Sequence, residues 1–449
     1  MSIVFRPATE TLKSQLDWWL IGAVAFLLGL GTVAIMSAAS PLAFYTQVLQ
    51  RHLLALSAGM LAFMVGIGVH YNIYQDQHKT LYGICLGLLA AVLIFGETFR
   101  GSKSWFRFAY FSFQPTEFAR IAVVLILAAY LERRKKVMDR LLPVLGAVAV
   151  IAPILALILI QPDFSSTIAF FPVFAGMVYC AGAPFRYILG MAALGGLAFS
   201  LPLAWIWISL NPAWTRGAIL VDYFSRLSQF GWPAAALAAS VAAALWLLWW
   251  FLGRIRVFVP AAFFFMAFFI TMSGYGAGVA VHHGLRDYQR KRVVAFLKPE
   301  KDPKGGSYNI RQARIAIGAG GFWGKGIFAG TQSRLGFLPE RHTDFIFAVI
   351  GEEMGFLGAI GVLLAYLFVV WRILETARLA RDGFGGLVAT GFAVMYGFCL
   401  IMNTGMAVGL LPVAGVPLPL VSYGGSSLVM SFWSLGIVQS IYWRRTTFV

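Results

Sequence analysis

The amino-acid sequence predicts an all-α polytopic integral membrane protein of about 12 transmembrane helices, with one large loop outside the membrane. Three observations predict it. Only 12% of the 449 residues are charged while 60% are hydrophobic. Mean hydropathy is +0.79. Apolar runs of about twenty residues, enough to cross a bilayer as a helix, recur from end to end. The runs are continuous rather than alternating, which excludes a β-barrel.

The first run, Trp18–Ser37, follows seventeen polar, mixed residues, so no cleavable signal peptide is read. Leu53–His70 and Thr80–Gly96 come next, separated by the polar stretch "YNIYQDQHK". Glu117–Leu131 begins after Pro115, a residue suited to a helix start. Leu142–Ile160, Thr167–Gly182 and Tyr187–Ile208 follow, then Pro233–Leu252 and Phe258–Val281. The last three runs are Asp344–Trp371, Gly386–Gly409 and Ser426–Trp443. No internal repeat or pair of matching broken helices is visible, so the pattern of an inverted-repeat transporter is missing. Cys85, Cys180 and Cys399 all lie in apolar runs, an odd set that provides neither a disulfide framework nor a metal site.

The net charge of +17 would suggest nucleic acid in a soluble protein. Here it fits loop retention at the inner leaflet, and no nucleic acid partner is expected. Arg133, Arg134, Lys135, Lys136 and Arg140 follow the fourth run; "GRIR" at Gly253–Arg256, then Arg372, Arg378 and Arg381, and the tail "WRRTTF" are also basic. All fall on one side if both termini are cytoplasmic; the segment near Gly101–Arg107 weighs weakly against this. The stretch 282–342 is then external. It holds twelve Lys/Arg and four Asp/Glu, a balance of +8. Long loops translocate regardless of charge, so a solvated loop without a role is one reading. A surface for an anionic ligand such as phosphate is the other.

Four constellations carry candidate chemistry. In "LKPEKDPKGGSYN" (Leu297–Asn309), Asp302 reads first as a turn former beside Pro303 and Gly305–Gly306. Its second reading is a general base, kept ionised by flanking lysines. Downstream, "IRQARIAIGAGG" has the spacing of a short amphipathic helix on the membrane surface. "GAGGFWGKG" suggests either a phosphate-cradling loop or glycines for close backbone packing; no Ser/Thr follows Gly-Lys, so it is not a nucleotide P-loop. In "ERHTDFIFAVIGEEMGF", Thr343 or Asp344 suits a helix N-cap, and Asp344, Ala348 and Glu352 would share one helix face. An acid inside a span usually faces the bundle interior or a wet cavity, which marks Glu352, with Glu353 a weaker candidate. In "FQPTEFARIAVV", Glu117 and Arg120 can pair, either to fix helix packing or to meet an anionic head group. "GLLPVAGVPLPLVSYGGSSL" is too rich in Pro and Gly for a helix and reads as an ordered external loop, dipping inward, that opens the last run.

At these residues the chain resembles the SEDS family, the RodA/FtsW/SpoVE group of bacterial cell-wall proteins. The stretches that carry the resemblance are "FQPTEFAR", "LIQPDFSSTIAF", "DYQRKRVVAFLKPEKDPKGGSYNIRQARIAIGAGGFWGKG", "GTQSRLGFLPERHTDFIFAVIGEEMGF" and "MNTGMAVGLLPVAGVPLPLVSYGGSS". "LPERHTDFIFAV" and "GVPLPLVSYGGSS" resemble the RodA branch more than the FtsW branch.

The resemblance implies a peptidoglycan glycosyltransferase that polymerises lipid II during cell elongation and rod-shape maintenance. It acts at the outer face of the inner membrane, with undecaprenyl diphosphate as leaving group. It puts the family's catalytic acid at Asp302, which reverses the turn-first weighting. It makes Glu117, Arg120, Lys304, Lys325, Arg334, Arg341, His342, Asp344, Glu352 and Ser426 substrate-binding candidates. It also implies a ten-helix core within one membrane domain, 1–449. Residues 209–281 would then be an inserted helix pair and 282–342 the large periplasmic catalytic loop. No acidic cluster in the loop makes a metal cage, so a divalent cation, Mg or Mn, would be held partly by the diphosphate. Partners implied are a class B penicillin-binding protein transpeptidase and other elongation-complex membrane proteins. The chain has no Ser-x-x-Lys transpeptidase set of its own. It departs from the family at Ser104–Trp105, flanked by Lys103 and Arg107, where relatives often have Arg-Trp, and at Arg120, where they often have Lys. A lipid II flippase and a non-catalytic scaffold are the alternative functions.

Overall fold

The computed structural model describes residues 15–99, 102–107, 111–161, 163–214, 218–301 and 306–446. Its helices in chain order are α1 (Trp18–Ala39), α2 (Tyr45–Gly68), α3 (Asn72–Asp76), α4 (His78–Phe95), α5 (Pro115–Arg134), α6 (Leu141–Ile160) and α7 (Phe164–Cys180). There follow α8 (Phe185–Leu210), α9 (Ile219–Arg226), α10 (Trp232–Arg254), α11 (Ala261–Gly284) and α12 (Asp287–Leu297). The series ends with α13 (Gly306–Gly320), α14 (Thr331–Arg334), α15 (Ile346–Leu379), α16 (Gly383–Ala407) and α17 (Gly425–Trp443). The protein is an α-helical polytopic membrane protein. Among the described residues, 9 helices are long and apolar enough to cross a membrane. Helices α5, α7 and α17 match three further expected runs without meeting that test. α5 carries Glu117, Arg120 and Glu132, α7 is 17 residues long, and α17 is rich in serine.

Three local expectations are corrected. The second run begins at Tyr45 rather than Leu53, because the polar turn Gln50–His52 is helical and His52 is buried against Thr32, 3.2 Å away. Between α4 and α5 the chain forms a small antiparallel sheet, β1 (Glu97–Phe99), β2 (Ser102–Arg107) and β3 (Ser112–Phe113). Phe106 pairs with Phe113 and Arg107 with Ser112. The run predicted as one helix from Asp344 is broken at Gly355, whose φ of +65° is left-handed.

The chain divides into two compact units, Met1–Ala183 with Asn309–Val449, and Pro184–Tyr308. In the first, α5 is the central helix: residues 119–129 are all buried and, Arg120 apart, all apolar, as suits a helix surrounded by others. α2 and α17 approach so closely that a Cβ at Gly66 would sit 2.9 Å from the Gly436 Cα. Small residues allow such contact between helices in a membrane. At one end of this unit, Asp17 caps α1, pairs with Arg372 at 2.8 Å and exchanges hydrogen bonds with Gln439. Arg444 donates to the Ile67 and Gly68 carbonyls there. The other end carries the sheet, the 408–424 loop and the second half of the large loop.

In the second unit α8 packs along α11, with Gly274 and Gly278 against Leu197 and Leu201. Trp205, Leu227, Tyr275 and Val279 form its core, and the Tyr275 hydroxyl donates to the Leu227 carbonyl at 3.0 Å. The expected inserted pair, 209–281, lies within this unit as α9, α10 and α11.

Candidate active site

The loop-bearing end of the first unit gathers most of the candidate residues into three groups. The first is a polar chain at the start of α5. Arg120 Nη1 lies 2.9 Å from Glu117 Oε1 and 3.0 Å from Oε2, and both side chains are buried. Arg120 Nη2 donates to Ser166 Oγ at 3.1 Å, and Ser166 Oγ donates to Asp163 Oδ2 at 2.8 Å. Gln114 Nε2 donates to the same oxygen at 3.1 Å. The Gln114 amide then donates to Ser426 Oγ at 3.1 Å, and Ser426 donates to the Ser112 carbonyl at 2.7 Å. Glu117, Arg120 and Ser426, far apart in sequence, thus belong to one network. Its hub, Asp163, was not singled out from the sequence, although it caps α7 by accepting from the Ser166 amide. An Asx cap signal was legible in "PDFSS". Arg120 Nε is buried with no hydrogen-bond partner among the described residues.

The second group is an exchange of hydrogen bonds across the break in α15. In an unbroken helix the Phe356 and Leu357 amides would bond to the Glu352 and Glu353 carbonyls. Here they donate to the Gly321 and Phe322 carbonyls at 2.9 and 3.3 Å. The freed carbonyls accept instead from the Lys325 and Gly326 amides at 3.0 and 2.9 Å. The glycine-rich segment therefore serves close packing rather than a phosphate cradle. Gly324 has φ +84°, and a Cβ there would lie 2.2 Å from the Glu353 carbonyl oxygen.

The acids beside this break are closed off from solvent. Glu352 is 0% exposed. It accepts from the Gln332 amide at 2.8 Å, the Thr331 hydroxyl at 3.0 Å, the Ser333 amide at 3.1 Å and Lys325 Nζ at 3.4 Å. Glu353 accepts from Ser37 Oγ and from the Phe328 amide. Lys325 also donates to Thr331, and Arg334 donates to the Phe328 carbonyl at 3.0 Å. Glu352 is thus the anchor of the 325–334 segment.

The third group ties the loop to α1, α16 and the 408–424 loop. Arg341 is 6% exposed and its Nε donates to the Ala38 carbonyl at 2.7 Å. Burial pulls its pKa down from the usual guanidinium range. The His342 ring lies edge-on to Tyr423, and its carbonyl accepts from the Tyr423 amide at 2.9 Å. Burial raises the Tyr423 pKa. Asp344 is not in a helix. The N-cap of α15 is Phe345 with no side-chain hydrogen bond, so neither Thr343 nor Asp344 caps it, and Asp344 does not share a helix face with Glu352. The Asp344 carbonyl accepts from Asn403 Nδ2, which also holds the Val416 carbonyl. The 408–424 loop does dip inward, its Val421 backbone 2.7 Å from where a Gly31 Cβ would be.

Helix α13 buries Ala313, Ala316 and Gly320 on one stripe and exposes Arg311 and Arg314. Asp302 and Lys304 lie outside the described residues. On either side, Lys298 Nζ donates to Asn211 at 2.8 Å and Ser307 Oγ to the Pro299 carbonyl at 3.0 Å. Among the described residues no cluster of three or more His, Cys, Asp or Glu side chains gathers to hold a metal.

Comparison with known proteins accounts for nearly the whole chain. The family profile described as cell cycle protein, FTSW_RODA_SPOVE, matches residues 18–233 and 233–447. Peptidoglycan glycosyltransferase MrdB of Escherichia coli strain K12 is 33% identical over 398 residues, 89% of this chain and 86% of that protein. Peptidoglycan glycosyltransferase RodA of Treponema pallidum is 32% identical over 390 residues, 86% of this chain and 87% of that protein. Among solved structures, the crystal structure of Thermus thermophilus rod shape determining protein RodA superposes with a TM-score of 0.58 at 25% identity. It covers 96% of this chain and 98% of its own. A chain from a structure described as the coordination of polymerization and crosslinking by a peptidoglycan synthase complex gives 0.69 at 28% identity. That match covers 96% of this chain and 99% of the other. The chain belongs to the FtsW/RodA/SpoVE family of cell cycle proteins.

Proposed function

We propose that this protein is a peptidoglycan glycosyltransferase that polymerises lipid II for cell elongation and rod-shape maintenance. The observation that carries the reading is the buried Glu117–Arg120–Ser166–Asp163 chain at the loop-bearing end of the first unit. Charged groups are costly within a membrane and mark substrate paths there. The names of the relatives supply the reaction.

In the proposed reaction the acceptor sugar's 4-hydroxyl attacks the anomeric carbon of the donor. Asp302 takes the hydroxyl proton as general base, and the bond to the diphosphate oxygen breaks with its electron pair. One displacement inverts the centre, from an α donor to a β-1,4 product. Negative charge growing on undecaprenyl diphosphate calls for fixed cations. The 282–342 stretch has a balance of +8, and Arg120 keeps one buried N–H without a partner among the described residues. A divalent cation, if used, would be shared with the diphosphate; the described residues offer it no acidic cage of their own.

The reading places twelve spans, both termini in the cytoplasm and the loop in the periplasm. The basic ends of α5, α10, α15 and α17 support that orientation. The peptidoglycan synthase complex among the structural neighbours supports a transpeptidase partner of the class B penicillin-binding type. Purified full-length protein is given labelled lipid II with and without that partner. Glycan chains that vanish with Asp302→Asn support the reading. Normal polymerisation by Asp302→Asn removes Asp302 from the role. Lipid II crossing vesicles with no polymer formed makes the protein a flippase, and neither outcome with wild type leaves a scaffold.

A further inference from the structure

We infer that the turn joining α10 to α11 is a binding site for the phosphate headgroup of an anionic phospholipid. The turn borders an open surface cleft of about 540 Å³ whose lining includes Trp249, Trp250, Gly253, Arg254, Arg256 and Val257. The Arg254 guanidinium lies 5.0 Å from the centre of the Trp250 ring, a cation–π contact that tethers it at the mouth of the cleft. Arg256 has φ +60°. Its amide donates to the Gly253 carbonyl at 3.2 Å, and the Val257 amide to the Leu252 carbonyl at 2.9 Å. That pattern ends a helix with a left-handed residue, usually glycine. An arginine here bears a backbone cost that glycine would avoid.

Neither guanidinium has a carboxylate partner among the described residues, and the sequence has no Asp or Glu between Asp222 and Asp287. Two uncompensated forks at one cleft match the oxygens of a phosphate. The source of that phosphate follows from α10. Only Pro233 of this helix is buried, so its surface meets acyl chains. Trp246, Trp249 and Trp250 are exposed near its last turns, where tryptophans sit at the headgroup level. Phosphate at that depth belongs to lipid, and basic pockets at the ends of transmembrane helices hold anionic headgroups. A choline headgroup would bring an ammonium against two arginines.

The test places full-length protein in nanodiscs containing phosphatidylglycerol or phosphatidylcholine probes that carry a photoreactive group at the same acyl position. Labelled peptides spanning 245–262 are then counted. The anionic probe should label this turn roughly tenfold more than the zwitterionic one. Arg254→Gln with Arg256→Gln should bring the ratio to about one, while the ratio at the α1–α2 turn stays unchanged. Lysine at both positions should retain part of the preference. Equal labelling of the wild-type turn by both probes shows bulk lipid contact alone and overturns the inference. So does an anionic preference that survives the double glutamine change. The wild-type ratio decides even where the variant fails to fold.

Discussion

Glu352→Ala removes one carboxylate that four donors share, and its consequence can be worked out from the structure. Two donors are the Gln332 and Ser333 amides, at 2.8 and 3.1 Å. Glu352 is buried completely, so water reaches these amides only if the segment opens. A buried donor left without a partner costs about 1–3 kcal/mol. Taking the low end for both amides gives about 2 kcal/mol in favour of opening, roughly thirtyfold in local hydrogen exchange. The assay is hydrogen–deuterium exchange on the full-length protein in nanodiscs. Peptides covering 325–334 should exchange faster by that factor, and peptides from α16 should not change. Glu352→Gln keeps one acceptor oxygen, turns an N–H₂ toward a donor and loses the charge opposite Lys325, so it should fall between. Wild-type protection of 325–334 in the alanine variant refutes the anchoring role. Uniformly faster exchange everywhere refutes it too, because the carboxylate would then support the bundle as a whole.

Gly324→Ala forces a Cβ to within 2.2 Å of a carbonyl oxygen at a left-handed position, and should lower the thermal midpoint more than Gly318→Ala, which meets nothing within 4 Å. Arg120→Lys retains the charge but loses the fork that spans Glu117 and Ser166, so polymerisation should fall while expression holds; Arg120→Ala leaves Glu117 unpaired and should destabilise by about 3–5 kcal/mol. Arg341→Ala gives up a charged hydrogen bond to Ala38 and should cost about 1.5–3 kcal/mol in a denaturation series. Burial and Asp382 push the Tyr71 hydroxyl up to about 12 from 10.0, so the folded state holds this proton longer than the unfolded chain. Its contribution is full below pH 10.0 and is lost as pH rises toward about 12; Tyr71→Phe should flatten that part of an alkaline stability profile.

Continuous apolar runs made the helices legible, because a spanning helix must satisfy its own backbone and can read as one block of sequence. The same rule hid the break at Gly355. Hydropathy does not register which carbonyl an amide meets, and the loop that repairs the ladder lies about thirty residues upstream. The β1–β3 sheet escaped because its strands are 3, 6 and 2 residues long, too short for an alternating pattern to show. Pairing at i, i+3 made Glu117–Arg120 legible. Asp163 escaped because its partners come from α5 and from its own cap, and only the fold brings these together. The candidate base Asp302 rested on family resemblance, since a lone Asp before Pro has the chemistry of a turn as much as of a catalyst.

Charged residues in apolar runs invite one functional reading, yet the structure separates them by how much hydrogen-bonding capacity remains. A carboxylate has about four acceptor positions. Glu352 has four donors from the loop, so a ligand reaching it would have to displace protein groups already in place. Arg120 is different. Its two terminal nitrogens are engaged by Glu117 and Ser166, but Nε is buried with no partner among the described residues. The Glu117 pair fixes the guanidinium's plane and offsets its charge within the bundle, while one donor is left to give. An anion entering from the loop-bearing end therefore has a reason to meet Arg120 and none to meet Glu352. The effect of each residue on polymerisation should differ in kind: Arg120 variants should change substrate affinity, whereas Glu352 variants should act through the order of the 325–334 segment.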